Sequence, residues 1–542
     1  MAHTPVYRIL QRALRTARRD HPAGRPADTP CGSAAARWSR RRFLGTAALA
    51  APALALGDPT GPGGPQSARG YKVHRVAVVG GGLSGLNAAH RLLKAGVNVH
   101  LYEAAERLGG RILSRADAVG TGLVTEFGGE FINSAHTDML DLAREFGLKV
   151  YNRAESPASC RYPNTAFFFG GARRDPAELA RLLRPLAARI AADAALVDED
   201  PHRHLAVFDQ VSVAAYLDRH RDLIPQPWVR TLIETSIRTE FGSEPEHAST
   251  LQLLDTLPTV DGDNVEVLGE SNEAYCIQGG NSRIIAALET ILGSRVHTGQ
   301  QLVSVRSVPG EPVRLGFGGG RSVSADQAII TLPFTVLRSI TIDAALPKRF
   351  RRAIAELGLG RNEKVLAGFS RRTWQGPEGF VGEAWTDLGF AEVWDASQHQ
   401  PERQDGALTF FLGAREVTVP VSSDGGTTQG RAFVERLETR LPGLRSTATD
   451  RYACTAWTNN PLALGAYTNY QPGQITTFGD LRWSEPQDAS TAREVRFDNL
   501  VFAGEHLSEA YYGYMNGAAQ TGRLAAQSVL RYAAMTDATY DP

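Results

Sequence analysis

A glycine-rich turn near residue 80 constrains the fold of this chain more than any other feature of its sequence. Gly80, Gly82 and Gly85 form the pattern G-x-G-x-x-G. The apolar residues 76–79 before it are typical of a short buried strand, and residues 83–95 after it have the periodicity of a helix. Glycines in such a turn let the backbone approach a pyrophosphate, and the free N–H groups at the start of the helix bind it. The pattern therefore predicts a phosphate-binding turn.

A second strand and an acidic residue complete the unit. Residues 97–103 are typical of a strand, and they end in Glu103. Two parallel strands joined by a helix form a βαβ unit, and an acid at the end of the second strand accepts hydrogen bonds from a ribose. The sequence predicts a dinucleotide site contacted by the three glycines, by Glu103 and by the first helical residues, Leu83 and Ser84.

Two further motifs indicate which dinucleotide binds. Residues 107–111 (RLGGR) end in Arg111 and resemble the second phosphate-contacting element of flavoprotein amine oxidases. Residues 501–506 (VFAGEH) resemble the closing motif of the same proteins, in which the acid after Gly504, here Glu505, bonds the ribityl chain. A nicotinamide enzyme needs neither motif, so the predicted cofactor is FAD.

Landmarks across residues 71–535 resemble the monoamine oxidase and L-amino acid oxidase family and follow the order of that family. They are EFGG at 126–129, EFG at 240–242, QGG at 278–280, Leu332-Pro333, Lys364, Trp374, GAY at 465–467 and GYM at 513–515. The resemblance implies that FAD also contacts Gly128, Gly129, Val303 and Met515. It further implies an α/β fold in which a Rossmann-like FAD-binding domain is interleaved with a substrate domain containing a mixed β-sheet and helices.

Both domains are expected to be discontinuous in sequence. The predicted FAD-binding domain comprises residues 71–152, 276–332 and 490–535. The predicted substrate-binding domain comprises residues 153–275 and 333–489.

Three residues have catalytic roles that the resemblance implies. In the family, the lysine that corresponds to Lys364 holds a water against flavin N5. Lys364 is one of only five lysines in a chain with 58 basic residues, and an ammonium does not substitute freely for a guanidinium at a tight site. Tyr467 and Tyr514 match the two aromatic residues that flank the substrate nitrogen, where ring faces favour a cationic or electron-poor nitrogen.

The sequence departs from the family pattern at two places. Some monoamine oxidases attach the flavin to a cysteine just before the first of these tyrosines, but this chain has Ala466 there, so we expect FAD to be bound non-covalently. Many L-amino acid oxidases have an arginine shortly after the second glycine pair, where it binds the substrate carboxylate. Here residues 130–133 are EFIN, which favours an amine over an amino acid.

The leading functional hypothesis is a FAD-dependent oxidase that converts the C–N bond of an amine to an imine and reduces dioxygen to hydrogen peroxide. An L-amino acid oxidase on the same scaffold, or an amine dehydrogenase that uses another electron acceptor, are the enzyme alternatives. A flavoprotein with only a structural or binding role is disfavoured because the lysine and both tyrosines are present. The sequence leaves the oligomeric state open.

The first 55 residues resemble a twin-arginine signal peptide. Arg40, Arg41, Phe43 and Leu44 precede a 12-residue apolar stretch at 45–56, which is too short to span a membrane. Ala53-Leu54-Ala55 offers a cleavage site, and residues 56–70 form a Pro/Gly linker. We expect the folded protein to be exported by the twin-arginine machinery to the periplasm or the extracellular space.

Charge and cysteine content narrow the function further. The chain is neutral overall, but residues 1–55 carry a net +8 and the remaining residues a net −8. An acidic body lacks the basic surface that nucleic-acid binding needs and attracts cations weakly. The sequence has no C-x-x-C motif and no cluster of Cys and His, so no metal site is predicted.

Overall fold

The computed structural model describes residues 75–256, 258–269, 271–417, 425–485 and 492–538. The predicted signal peptide and the linker lie outside these residues. Among the described residues, no helix combines the length and apolar character that a membrane crossing requires.

A six-stranded sheet forms the centre of the nucleotide-binding part. Its strand order is β11-β2-β1-β15-β25-β24, and its strands are β1 (Arg75–Val79), β2 (Asn98–Tyr102), β11 (Val296–His297), β15 (Gln327–Ile330), β24 (Arg496–Phe497) and β25 (Leu500–Phe502). β1 pairs in parallel with both β2 and β15, so the predicted βαβ unit is confirmed. After the exposed Arg75, the residues of β1 are apolar and buried, as expected for a central strand of a parallel sheet that is covered on both faces.

Three helices pack beside this sheet. They are α1 (Leu83–Lys94), α8 (Ser282–Leu292) and the last helix, α13 (Met515–Ala538), and both α8 and α13 contact α1. Gly85 permits the close approach of α1 to β1, because a Cβ at this position would lie only 2.0 Å from the carbonyl oxygen of Gly80. The third glycine of the motif therefore acts through packing.

A four-stranded sheet lies next to the nucleotide-binding sheet. Its order is β14-β13-β12-β16, with β12 (Leu302–Ser307), β13 (Val313–Phe317), β14 (Ser322–Ala325) and β16 (Thr341–Ala344). β16 follows residue 332, where the sequence places a domain boundary, so this sheet draws strands from both sides of that boundary. The predicted boundaries themselves stay predictions.

The largest sheet has seven strands in the order β22-β18-β21-β20-β19-β6-β7. The strands are β6 (Thr165–Phe169), β7 (Ala172–Arg173), β18 (Asn362–Phe369), β19 (Glu383–Thr386), β20 (Glu392–Asp395), β21 (Gly406–Gly413) and β22 (Ala448–Cys454). Side chains alternate between its two faces. One face packs Val365, Phe410 and Val393 into an apolar core with Phe433 of helix α11 (Thr427–Glu438). The opposite face carries Lys364.

A helical layer packs around Phe167 and Phe169 of β6. It comprises α3 (Pro176–Glu199), α4 (Pro201–Asp209), α5 (Val213–Arg219), α6 (Pro227–Phe241) and α7 (Thr250–Thr256). The other helices are α2 (Thr137–Glu145), α9 (Phe334–Leu337), α10 (Lys348–Glu356) and α12 (Gln474–Phe478). Short ladders pair β3 (Ser114–Ala116) with β4 (Val124–Glu126), β5 (Val150–Asn152) with β10 (Tyr275–Ile277), β8 (Thr259–Asp261) with β9 (Asn264–Glu266), and β17 (Gly358–Leu359) with β23 (Thr468–Asn469).

Candidate active site

A cleft of about 250 Å³ opens at the carboxyl end of β1 and at the start of α1. Most of the predicted cofactor contacts line it, namely Gly80, Gly82, Leu83, Ser84, Glu103, Arg111, Gly129, Gly504, Glu505 and Met515. The first turn of α1 has no side-chain cap and no acidic residue, so its N–H groups face the cleft without a competing acceptor. This is the arrangement that a pyrophosphate needs.

Three of the predicted cofactor residues do not line the cleft. Gly85 lies beneath it and sets the approach of α1 to β1. Gly128 lines the neighbouring cavity, and a Cβ there would lie 2.0 Å from the carbonyl oxygen of Arg111. Val303 is 44% exposed and lies one residue beyond Leu302, which does line the cleft. A contact between Val303 and the cofactor stays a prediction.

Glu103 holds the glycine turn in place as well as facing the cleft. Its carboxylate accepts a hydrogen bond of 2.5 Å from the backbone N–H of Gly81 and one of 2.7 Å from that of Ala105. Each carboxylate oxygen has a second lone pair, so these bonds leave acceptor capacity toward a ribose.

Arg111 and Glu505, which both line the cleft, form an ion pair. The guanidinium donates to Glu505 at 2.9 Å and to the carbonyl oxygen of Ala466 at 2.5 Å. The other Glu505 oxygen accepts from the Thr468 hydroxyl at 2.8 Å and from the Gly513 N–H at 2.7 Å. Although burial acts in the opposite direction, Arg111 holds the pKa of Glu505 below its ordinary value, so the carboxylate stays ionised.

These residues fit FAD. A phosphate-binding turn, an acid at the end of β2 and a second acid beyond β25 all line one cleft, as binding of this cofactor requires. Ala466 lies at the end of the cleft and has no nucleophilic side-chain atom, so the flavin is held without a covalent bond at this position.

The cleft continues into a larger cavity of about 580 Å³. The residues that line both form the junction where the flavin ring would meet a substrate; they are Arg111, Gly129, Trp457, Ala466, Tyr467, Gly513, Tyr514 and Met515. Tyr467 and Tyr514 both belong to this set, and Lys364 lines the cavity next to it. The fold therefore gathers the three predicted catalytic residues around one place.

Lys364 is buried and bonded to protein oxygens. Its ammonium donates to the carbonyl oxygens of Glu126 at 3.1 Å and Gly128 at 2.9 Å, and to the carboxylate of Glu130 at 2.7 Å. A lysine ammonium has three donors, and these bonds use all of them. A water held by Lys364 would therefore take the place of one of these acceptors. Glu130 is the ion-pair partner of this lysine.

Tyr467 and Tyr514 are each anchored through the hydroxyl group. The Tyr467 hydroxyl donates to the carbonyl oxygen of Thr239 at 2.5 Å, and the Tyr514 hydroxyl donates to the carboxylate of Glu240. Burial raises the pKa of both hydroxyl groups well above the ordinary value, so both stay protonated donors. Anchored hydroxyls leave the ring faces, and not the polar tips, available to a substrate nitrogen.

Helix α6 brings Thr239 and Glu240, which accept the hydrogen bonds of the two tyrosines, to the cavity. It ends at Phe241, and Gly242 caps it in the left-handed conformation with a φ of 58°. A Cβ at Gly242 would lie 2.1 Å from the Asn362 side-chain oxygen, so the end of the helix can pack directly against β18. Burial raises the pKa of Glu240 to about 7, which makes it a titrating group beside the junction at neutral pH.

Trp457 and Glu363 belong to the site but had no predicted role. The Trp457 indole lines both the cleft and the cavity and donates to the carbonyl oxygen of Phe127 at 2.7 Å. Glu363 holds the loop that carries it, since its carboxylate accepts from the N–H groups of Trp457 at 3.0 Å and Thr458 at 2.8 Å. The partners lie more than 90 residues apart in sequence, so no local pattern indicated them.

The cavity wall is acidic. Among the described residues, eight carboxylates line it (Glu130, Asp198, Glu240, Asp255, Glu273, Glu363, Glu392 and Glu509) against four basic side chains (Arg111, Lys364, Arg482 and Arg493). Burial raises the pKa of Glu240, Glu273 and Glu392, and a bound cation would favour their ionised forms. The cavity is therefore better suited to a cation than to an anion.

Comparison with known proteins agrees with this geometry. The family model for flavin containing amine oxidoreductases matches residues 83–530. The nicotine dehydrogenase of Pseudomonas putida is 24% identical over 91% of this chain and 97% of its own length. The polyamine oxidase 4 of Oryza sativa subsp. japonica is 23% identical over 83% of this chain and 87% of its own length. A structure of putrescine oxidase bound to putrescine superposes with a TM-score of 0.68 at 22% identity, over 84% of this chain and 99% of that protein, which supports the fold.

The matched range includes the junction, the cavity and all of the cleft beyond Gly82. The chain belongs to the flavin-containing amine oxidase family and is a FAD-dependent oxidoreductase acting on CH–NH groups.

Proposed function

We propose that the chain oxidises the C–N bond of an amine to an imine, with dioxygen reduced to hydrogen peroxide. A bound FAD would supply the redox chemistry, as acceptor of a hydride equivalent from the carbon beside the nitrogen and as donor of electrons to dioxygen. Water then hydrolyses the released imine to a carbonyl compound and, for a primary amine, ammonia. The observation that carries the proposal is the position of Tyr467, Tyr514 and Lys364 around the junction of cleft and cavity.

The protein residues orient the amine and set its protonation state. Tyr467 and Tyr514 present ring faces whose hydroxyl groups are tied back, so a nitrogen between them has one approach to the cleft. The reacting nitrogen must be neutral to yield a hydride from its neighbouring carbon. Glu240 accepts the Tyr514 hydroxyl and has a pKa that burial raises to about 7, and its carboxylate would accept a proton from an arriving ammonium.

The acidic cavity wall supports an amine over an amino acid as substrate. Residues 130–133 carry no arginine for a substrate carboxylate, and carboxylates outnumber basic groups on the described wall. A direct comparison of kcat/KM for phenethylamine and phenylalanine tests this. If the carboxylate of phenylalanine is buried without a partner, kcat/KM for phenylalanine should be lower than that for phenethylamine by about a hundredfold or more.

One observation favours the L-amino acid oxidase alternative. Arg482 lines the cavity, is 9% exposed, and has no carboxylate within 4.0 Å among the described residues. It lies 5.3 Å from the ring centre of Tyr470 and 5.6 Å from that of Tyr512, so its guanidinium could bind a substrate carboxylate in this part of the cavity. If phenylalanine is the better substrate and Arg482→Leu removes that preference, the alternative is correct.

The electron acceptor is tested with the same preparation. Equal amounts of substrate consumed and peroxide released under air support an oxidase. Turnover only with an added electron carrier, and no peroxide under air, would support the amine dehydrogenase.

We also propose that the folded protein, with FAD bound, is exported through the twin-arginine route. The residues that support this, Arg40 and Arg41, lie outside the described part of the chain. Changing both to Lys keeps the charge and should leave the FAD-loaded protein in the cytoplasm, as measured by immunoblotting of cell fractions. Unchanged export would contradict the proposal.

A further inference from the structure

The carboxyl group of Glu363 is buried, and all of its acceptor positions are filled. One oxygen accepts from the Thr455 hydroxyl at 2.5 Å and from the Trp457 N–H at 3.0 Å. The other accepts from the Thr458 N–H at 2.8 Å and from the Thr458 hydroxyl. A carboxylate has about four lone-pair sites, so these bonds direct its whole acceptor capacity to residues 455–458.

Residues 455–458 begin a loop that borders both the cleft and the cavity. Trp457 lines both, and residues 460–463 line the cleft. The carbonyl oxygen of Trp457 accepts from the Gly465 N–H at 3.2 Å, so the loop closes on itself one residue before Ala466. The bonds that fix the start of the loop therefore also fix its end.

One residue of this loop has a strained backbone. Leu464 adopts the left-handed conformation with a φ of 58°, which the Cβ of an ordinary residue disfavours. Its side chain is 45% exposed, so its own packing does little to offset the strain. Contacts elsewhere must hold the loop in this shape, and the carboxylate of Glu363 supplies four of them.

The indole of Trp457 connects this anchor to the segment that holds Lys364. The indole N–H donates to the carbonyl oxygen of Phe127 at 2.7 Å. The Lys364 ammonium donates to the carbonyl oxygens of the residues just before and just after Phe127. Glu363 and Lys364 are neighbours on β18, so one binds three consecutive carbonyl groups together with the tryptophan that the other holds.

We propose that Glu363 is a positioning residue for amine oxidation, which sets the place of the Trp457 indole at the junction of cleft and cavity. This inference rests on the proposed function, in which the amine reacts at that junction. Because Trp457 lines both spaces, a shift of its ring changes the room in which flavin and substrate meet. A misplacement of about 1 Å can lower a reaction rate by a factor of about a hundred.

Glutamine is the substitution that changes the hydrogen-bond pattern without changing the shape. In Glu363→Gln, an NH₂ group, which donates and does not accept, replaces one of the two oxygens. Whichever oxygen it replaces, it meets a backbone N–H, either that of Trp457 or that of Thr458. The threonine hydroxyl groups can rotate, but a backbone N–H cannot, so the loop must move away.

Asp395 offers a matched control on the same sheet. Its carboxylate also accepts four hydrogen bonds, from the Trp374 indole, the Gln375 amide and both the N–H and the hydroxyl of Ser397. It is 3% exposed and lines neither the cleft nor the cavity. Asp395→Asn should therefore lower Tm as Glu363→Gln does, but without moving Trp457.

The test compares the FAD-loaded wild type with Glu363→Gln and Asp395→Asn. Stopped-flow absorbance without oxygen gives the limiting rate of flavin reduction by phenethylamine, and hydrogen exchange followed by mass spectrometry reports the N–H groups of residues 457–465. In Glu363→Gln the limiting rate should fall about tenfold or more, and the loop should exchange faster. In Asp395→Asn both should match the wild type. A wild-type rate or unchanged loop exchange in Glu363→Gln, or an equal loss of rate in both variants, would overturn the proposal.

Trp457→Phe gives a second decision if Glu363→Gln does not fold. It keeps the backbone N–H that Glu363 binds but removes the indole, so the limiting rate should also fall, and a wild-type rate would overturn the proposal. If no amine reduces the wild-type flavin, the proposed function fails instead. The absorption spectrum of the bound flavin then decides the role of Glu363, because it should change in Glu363→Gln and not in Asp395→Asn. The same spectrum in both variants would overturn the positioning role.

Discussion

Replacing Lys364 by methionine should cost the protein stability as well as activity. The ammonium of Lys364 and the carboxylate of Glu130 lie 2.7 Å apart, and both side chains are 7% exposed. Methionine has nearly the same length but no charge. The substitution therefore leaves the carboxylate of Glu130 buried without a counter-ion, and it leaves the carbonyl oxygens of Glu126 and Gly128 without a donor.

The magnitude follows from the burial of the pair. Removing one member of a buried ion pair costs about 3–5 kcal/mol, most of it from the charge left behind. The unfolding entropy is about 2.1 cal/mol/K per residue, which for roughly 450 described residues is about 1 kcal/mol/K. Lys364→Met should therefore lower Tm by about 3–5 °C.

A double substitution separates the lost pair from other effects. In Lys364→Met/Glu130→Gln the unpaired charge is gone, so the double variant should be more stable than Lys364→Met alone, by about 2 kcal/mol. The assay is thermal unfolding of the FAD-loaded proteins, followed by the rise in fluorescence when the flavin is released. A double variant that is less stable than Lys364→Met would refute the reasoning.

The same variant tests the chemical role that the family resemblance implies for Lys364. Stopped-flow absorbance can follow flavin reduction by an amine without oxygen, and then reoxidation by dioxygen. We expect reoxidation to be slowed in Lys364→Met, with FAD still bound. If reoxidation and reduction both proceed at the wild-type rate, Lys364 has only the structural role that its three hydrogen bonds describe.

Three further predictions concern the cofactor and Tyr514. Gly85→Ala should yield folded protein with little FAD, because the new Cβ would lie 2.0 Å from the Gly80 carbonyl oxygen. The ratio of flavin absorbance to protein absorbance measures the bound FAD, and a full complement of FAD would contradict the prediction. Acid precipitation should release the flavin into the supernatant, since Ala466 cannot bond to it; colour in the pellet would show a covalent link elsewhere. Tyr514→Phe removes the hydrogen bond that lowers the pKa of Glu240. If Glu240 causes an acidic limb near pH 7 in the pH profile of kcat/KM, this limb should move to higher pH in the variant. A limb that does not move would exclude Glu240 as its source.

Local sequence predicts the parts of this protein whose interactions are local. The strand, glycine turn, helix and second strand at 75–102 are consecutive, so their apolar periodicity and glycine spacing indicate the structure directly. The pattern of residues 284–292 and 515–532 likewise indicates the helices Ser282–Leu292 and Met515–Ala538, and residues 302–306, 313–317 and 327–331 are typical of the strands β12, β13 and β15. The resemblance to a family adds Lys364, Tyr467 and Tyr514, which no local pattern would have singled out.

What surrounds those three residues was decided by tertiary structure. The ammonium of Lys364 meets Glu130 from 234 positions away, and the hydroxyl of Tyr514 meets Glu240 from 274 positions away. A sequence pattern reports which residue types are present, but a buried charge is stabilised by whichever groups the packed chain brings within hydrogen-bond distance.

Glu392 shows the same limit most clearly. The alternation in Glu392-Val393-Trp394-Asp395 predicts that the first and third side chains share a face of a strand. It does not say which face is turned to the cavity. Only the pairing of β20 with β21 and β19 places Glu392 beside Glu273 and Glu383 on the floor of the cavity. The sequence by itself determined the cofactor and its cleft, whereas the electrostatics of the substrate cavity depend on strand register and long-range packing, which only the folded structure contains.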